Sequence, residues 1–205
     1  SGMASSTRNK AIELWKAQLP EGDPQLLSKI LFSYENPPGT KNVAGSQDAL
    51  GIVMPCLNYH YYSQDNYWPS EIKSINDDSI LDWLENHIYL IPLDPRGKNY
   101  DVLASTNISE NGAKNLADAA NKCWDAILNK DLNAFGTSFL DSFHAQIAMF
   151  PNMFDESIKP IIHKYASKCI GYKLSGAGGG GYLILIAEKP IENAIQIKIR
   201  RKNMM

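Results

Sequence analysis

The chain has 205 residues, 44% of them hydrophobic and 20% charged, and a formal net charge of −2. That length supports one domain or two small ones with a real core, and the near balance of charge argues against general binding to nucleic acid or anionic membrane, so any anion site must be local. No apolar run approaches the ~18 to 20 residues of a membrane span, and the opening "SGMASSTRNK" lacks the apolar core of a signal peptide, which gives a cytoplasmic reading.

In chain order, Ala11, Ile12, Trp15 and Leu19 repeat at helical spacing within 4–19, and Pro20, Gly22 and Pro24 stop that helix. Asp23 is placed to cap a second helix, Pro24 suits its first position, and Leu27, Ile30, Leu31 and Tyr34 form its face. After the loop "ENPPGTKNVAG" comes a short apolar segment, "SQDALGIVM". "LNYHYY" and the stretch from Trp68 to Ile75 read as strands joined by a polar, hairpin-like link. "DDSILDWLEN" predicts a short helix with acidic first-turn residues, and "HIYLIPL" a strand.

Three apolar stripes then predict three helices, over 113–128, 132–150 and 154–165; their aromatics belong to a core rather than to a cofactor site. "YLILIA" has no alternation and predicts a central strand, whereas Ile195, Ile197 and Ile199 alternate with polar residues as in a half-exposed one. The order predicts an α+β layer with helices on one face of a mostly antiparallel sheet, and a weak seam falls within 76–86. Cys56, Cys123 and Cys169 are too scattered for a disulfide framework or a paired zinc site and read as reduced thiols. His60, His87, His144 and His163 share no spacing and receive no role.

"KLSGAGGGGYLILIAE", 173–188, places five glycines before an apolar strand. Gly176, Gly178 and Gly181 satisfy G-x-G-x-x-G, but a dinucleotide fingerprint must follow a strand and open a helix, and these glycines open a strand. Two readings remain: a tight crossing beneath neighbouring elements, or consecutive unobstructed amides at positive φ that hold an anion. A second segment, "SGMASST", starts a helix with hydroxyls and carries Arg8 and Lys10 where acids are favoured; a bound phosphate would offset that misplaced charge, and a plain Ser/Thr cap is the alternative. Glu35 and Asp48 flank glycine-containing loops, where one carboxylate suits Mg²⁺ and the other can accept a hydroxyl proton; each is otherwise a cap or a surface acid.

Taken together and in this order, three segments resemble the GHMP kinases, the superfamily of galactokinase, homoserine kinase and mevalonate kinase: "GMASST" its phosphate loop, "GSQDALG" the G-x-x-D-Q-type segment of its sugar kinases, and "KLSGAGGGGYLILI" its third motif. The third match is nearly residue for residue, and "GSQDALG...P.LN" is most similar to the bacterial fucokinase and heptose-kinase-like branch. The resemblance implies a two-lobe α+β fold with a ferredoxin-like C-terminal lobe, residues 1–85 belonging to the first lobe and 86–205 to the second. It implies ATP and Mg²⁺ as cofactors and phosphorylation of a sugar or sugar phosphate, at the anomeric hydroxyl, with a non-catalytic ATP- and sugar-binding sensor as the alternative and a diphosphate decarboxylase of the same fold as a weaker third.

Carried over by position, Asp48 is the catalytic base or orienting acceptor, and Ser6 and Glu35 are the metal ligands. Gly2, Met3, Ala4, Ser5, Ser6 and Thr7 hold phosphate from one side, and Ser175, Gly176, Ala177, Gly178 and Gly179 close over the phosphate loop from the second lobe.

Two departures stand out. Family members carry several strands before the phosphate loop, so these 205 residues are expected to need a longer kinase or another chain for activity, and an edge left without those strands is expected to favour self-association. Cys56 stands where such kinases usually have glycine, and a positive φ there would cost roughly 1 to 3 kcal/mol.

Overall fold

The computed structural model describes residues 4–16, 18–63, 66–97 and 100–202. The chain divides into two compact units, one built from 4–77 with 199–202 and the other from 78–198. The division falls at Asp77/Asp78, within the expected seam; α4 (Asp78–His87) thereby joins the second unit, and residues 199–202 return to the first.

The first unit begins with helices α1 (Ser5–Trp15), α2 (Pro24–Glu35) and α3 (Ser46–Val53), followed by β1 (Leu57–Tyr61) and β2 (Glu71–Ile75). Asp23 caps α2 by accepting a hydrogen bond from the Gln25 amide, with Pro24 at the first helical position. Leu31, Ala49 and Val53 are fully buried where the three helices meet, with Ala11 and Leu27 beside them. The first helix is shorter than its apolar spacing suggests, because Lys16 adopts φ +60° and ends it; Leu19 still packs on this core from beyond the helix. β1 and β2 pair antiparallel, Leu57 opposite Ile75 and Tyr61 opposite Glu71, and β2 starts at Glu71 rather than at Trp68. Trp68 instead stacks edge-on against Phe32 of α2, with its ring centroid 6.0 Å away.

The second unit adds, after α4, β3 (Ile88–Pro92), α5 (Glu110–Leu128), α6 (Leu132–Met149), α7 (Lys159–Ala166), β4 (Gly171–Leu174), β5 (Tyr182–Ile186) and β6 (Ile195–Gln196). The sheet order is β4-β5-β3-β6 and every pairing is antiparallel, with Leu174 opposite Leu183 and Ile88 opposite Ile186. β5 is central, as its unbroken apolar run predicts, and Leu183, Leu185 and Ile186 are fully buried. Phe143 of α6 and Ile162 and Tyr165 of α7 pack with these strands into one core. The α6 backbone lies directly on β4: a Cβ on Gly171 would stand 2.0 Å from the Gly136 carbonyl oxygen, so only glycine permits the approach.

Two elements of the second unit differ from expectation. The third predicted helix starts at Lys159, because Asp155 caps a separate 3-10 turn over Glu156–Ile158 and Pro160 suits only a first turn. β6 pairs over two residues only, since the chain beyond Lys198 leaves the sheet for the first unit, where the Arg200 carbonyl accepts the Cys56 amide at 2.8 Å.

Candidate functional site

Gly2 and Met3 lie outside the described residues. Ala4, in the left-handed region at φ +58°, precedes α1, and no side chain caps the helix; its first turn holds no acid. The amides that open α1 therefore face outward without a Ser or Thr cap, the arrangement that suits an anion. Of the two basic residues near this turn, Lys10 is committed to Glu13 at 2.9 Å and lies over the Tyr34 ring. Thr7 is only 2% exposed, and its Oγ1 donates to both carboxylate oxygens of Glu35, at 2.7 and 3.0 Å. Ser6 is exposed, so the hydroxyl that the fold brings to Glu35 is that of Thr7, and sequence reasoning had given Thr7 only a backbone role. A hydroxyl and a carboxylate in contact offer the oxygen donors that Mg²⁺ prefers, so this pair fits that ion.

Asp48 sits in the first turn of α3, where its charge suits the helix dipole. It is half-buried, and burial pushes its carboxyl above the ordinary aspartate value. Among the described residues no hydrogen bond or ion pair to it is found, so it is neither a cap nor a paired surface acid. Beside it stands the Tyr62 phenol, whose pKa is raised by burial and, to a lesser extent, by the Asp48 charge. The buried Ser46 hydroxyl donates to the Tyr67 carbonyl and lies 3.1 Å from the Tyr62 hydroxyl; with its one proton committed, it accepts from Tyr62. His60 packs edge-on to the Tyr62 ring at 6.5 Å, and burial favours its neutral form. Ser46 lies in the "GSQDALG" segment, two residues before Asp48, whereas Tyr62 belongs to no recognisable motif and only the fold brings it to Asp48.

At the other end of α3, Arg200 donates to the carbonyls of Ile52, at 3.0 Å, and of Val53, closing the helix. Cys56 follows at φ +67°, the positive value expected if a glycine suits that position better.

In the second unit, Ser175, Gly176, Ala177, Gly178 and Gly179 lie in the hairpin loop between β4 and β5, so the glycines do open a strand. Gly176, Gly178 and Gly179 have φ of +57°, +69° and +64°, the bare-backbone conformation expected. Neighbours nonetheless press on part of the loop. A Cβ on Gly178 would stand 2.4 Å from the Met153 carbonyl, and one on Gly179 2.1 Å from the Tyr100 ring, whereas Gly176 faces open space with only Arg96 Nη2 at 3.9 Å. The Gly179 amide donates to Met153 at 3.0 Å, Arg96 Nε donates to the Gly178 carbonyl at 2.7 Å, and the Tyr100 hydroxyl donates to the Ala177 carbonyl. Both readings of the glycines thus have a place: close crossing at 178–179 and exposed backbone at 176. Arg96 and Tyr100 carry no motif that would have drawn attention to them.

No protein-family model matches the sequence, and no curated protein matches it. Solved structures do. A Campylobacter jejuni protein described as a sugar kinase superposes with a TM-score of 0.59 at 19% identity, over 92% of this chain and 54% of that one. A D-glycero-D-manno-heptose 1-phosphate kinase from Bacteroides thetaiotaomicron gives 0.61 at 15% identity, over 98% and 61%. A mevalonate kinase gives 0.62 at 16% identity, over 97% and 65%. The chain thus spans between 54% and 65% of the length of these proteins. Their agreement in fold with the α+β order observed here, across nearly all of this chain, shows that it has the fold of the GHMP kinase superfamily.

Proposed function

We propose that the chain is part of an ATP-dependent kinase that phosphorylates a hydroxyl, the anomeric one, of a sugar or sugar phosphate. The observation that carries this reading is Asp48, a half-buried carboxylate without a hydrogen-bond or ion-pair partner among the described residues, in the unit that also holds an uncapped helix N-terminus and the Thr7–Glu35 pair. The kinase fold and the sugar and heptose phosphate kinases among its structural neighbours support it.

In this reading Asp48 accepts the proton of the attacking hydroxyl or orients it, and its burial strengthens it as a base. Residues 2–7 hold phosphate oxygens through their amides, and 175–179 supply further bare backbone. Glu35, with the hydroxyl of Ser6 or Thr7, would hold Mg²⁺, which supplies charge neutralisation at the phosphates when bound. Positioning and charge account for most of the rate in such a transfer. No observation favours the non-catalytic sensor, which has no use for a base.

The cytoplasm is the proposed location; among the described residues no helix is long and apolar enough to cross a membrane. Because β1 and β2 form a sheet of two strands, their outer edges offer backbone groups for another chain, and we expect concentration-dependent association in size-exclusion chromatography; a monomer at all concentrations would count against it.

The test is ADP release by the protein at its natural full length, over a panel of free sugars and sugar phosphates. At least one acceptor is expected to raise ADP release well above the acceptor-free rate. ATP binding with no acceptor-dependent release would favour the sensor instead.

A further inference from the structure

We infer that Arg96 is a phosphoryl-binding residue, its guanidinium and the Gly176 and Ala177 amides forming one anion site on the 175–181 loop. This rests on the kinase reading for the identity of the anion, and it adds a charged residue to a loop so far described only by its backbone.

Three observations converge on it. Arg96 uses Nε for the Gly178 carbonyl at 2.7 Å and lies over the Tyr100 ring at 5.4 Å, which fixes the plane of the guanidinium. Among the described residues neither terminal nitrogen has a carboxylate or a carbonyl partner, and Nη2 is directed to the one glycine of 176, 178 and 179 whose Cβ side is open. The nearby acid Asp101 is engaged elsewhere, accepting the Leu103 amide at 2.8 Å.

The loop amides sort in the same way. Those of Gly178 and Gly179 are spent on the Ser175 and Met153 carbonyls, at 3.3 and 3.0 Å, while among the described residues the amides of Gly176 and Ala177 have no partner. The amides of Gly180 and Gly181 are likewise without a partner among the described residues, but a Cβ on Gly180 would meet the Asp94 carbonyl at 2.5 Å, so the free donors beside the open side of the loop and the guanidinium are those of Gly176 and Ala177. A planar, fixed fork of N–H donors beside free backbone N–H groups matches the oxygens of a phosphoryl group. That group is either the nucleotide's or a phosphate carried by the acceptor, and the two share this chemistry.

The experiment is a ¹H–¹⁵N titration of the full chain with inorganic pyrophosphate, MgATP and mannose 6-phosphate in separate arms. Pyrophosphate is expected to shift the Gly176 and Ala177 amides in a saturable, salt-weakened manner. Arg96→Gln should weaken that binding about tenfold or more, and Arg96→Lys should restore part of it. Tyr100→Phe, which releases the other side-chain anchor of the loop but leaves the charge, should stay within about twofold of the parent.

Absence of any shift at these amides, equal affinity in Arg96→Gln, or an equal loss in Tyr100→Phe would overturn the inference. Pyrophosphate binding that depends on Arg96 while MgATP fails to bind would leave the anion site standing and remove the kinase reading. Shifts from mannose 6-phosphate that persist at saturating MgATP assign the site to the acceptor's phosphate, and their loss assigns it to the nucleotide's.

Discussion

The glycine loop at 175–181 is held from three sides, by Met153, Arg96 and Tyr100, whereas among the described residues the small-residue segment that opens α1 is tied down by one side chain, Thr7 on Glu35. Both are runs of small residues beside a regular element, and in sequence they look like two versions of one device. Physically they differ. In the first, the absence of a Cβ is the requirement, because other atoms occupy its place; in the second, a hydroxyl is the requirement, because a carboxylate needs a donor. Small residues at a candidate phosphate site are thus required for opposite reasons, and substitution separates them.

The sharpest separation comes from alanine in the glycine loop. Gly178→Ala places a methyl 2.4 Å from a carbonyl oxygen at positive φ, and should cost more than ~3 kcal/mol in denaturant unfolding of the unit that holds it. Gly176→Ala has the same sign of φ but open space, and should cost only about 1 to 2 kcal/mol. Equal costs at the two positions would mean that backbone conformation alone, and not the close crossing, fixes the loop.

At the other segment, Thr7→Val keeps the shape and removes the donor to Glu35, for an expected loss of about 1 to 3 kcal/mol. Ser6→Ala, at an exposed position, should change stability by less than ~0.5 kcal/mol. Mg²⁺-dependent ATP affinity in the two variants then reports which hydroxyl serves the metal: a loss confined to Thr7→Val names Thr7, and one confined to Ser6→Ala returns the role to Ser6.

Cys56 carries the glycine question into the first unit. Relief of its φ of +67° should make Cys56→Gly neutral to stabilising by about 1 kcal/mol, while the β-branched Cys56→Val should lose about 2 kcal/mol.

Asp48 gives a signed effect on stability. Its folded-state pKa lies above the unfolded value, so the native state holds the extra proton between the two values and wild-type stability falls as pH rises through that window, from about 4 upward. Asp48→Asn removes this dependence: the variant should match the wild type near pH 3 and be the more stable of the two at neutral pH. A variant less stable at neutral pH would show that the ionised carboxylate has a partner in the fold.

Much of this was legible from the residues. Apolar spacing found α2, α4, α5 and α6, and the unbroken apolar run of 182–187 marked the central strand, in which buried Leu183 and Leu185 alternate with half-buried Tyr182 and Ile184. Where local spacing failed, a single backbone or tertiary event intervened: left-handed Lys16 ended α1, the capped turn at Asp155 delayed α7, and the departure of 199–202 cut β6 short. At the candidate site, the glycines, the hydroxyl-rich, acid-free start of α1, Asp48 and Glu35 stood out as residue types in patterns, although a plain Ser/Thr cap of α1 remained open until the structure showed none. Thr7 as the partner of Glu35, Tyr62 beside Asp48 and Arg96 on the loop did not. Their roles come from contacts with residues 28 positions away, for Thr7, or 82, for Arg96, which no local pattern encodes.

The central claim is that Asp48 serves transfer of a phosphoryl group to a hydroxyl. It is tested most directly by ³¹P NMR of the full-length protein with MgATP and the acceptor panel, beside Asp48→Asn. A new phosphate ester is predicted, formed in step with ADP and slowed about 100-fold or more in the variant. Conversion of ATP to ADP and free phosphate with no ester, or an ester formed at the same rate by Asp48→Asn, would contradict it.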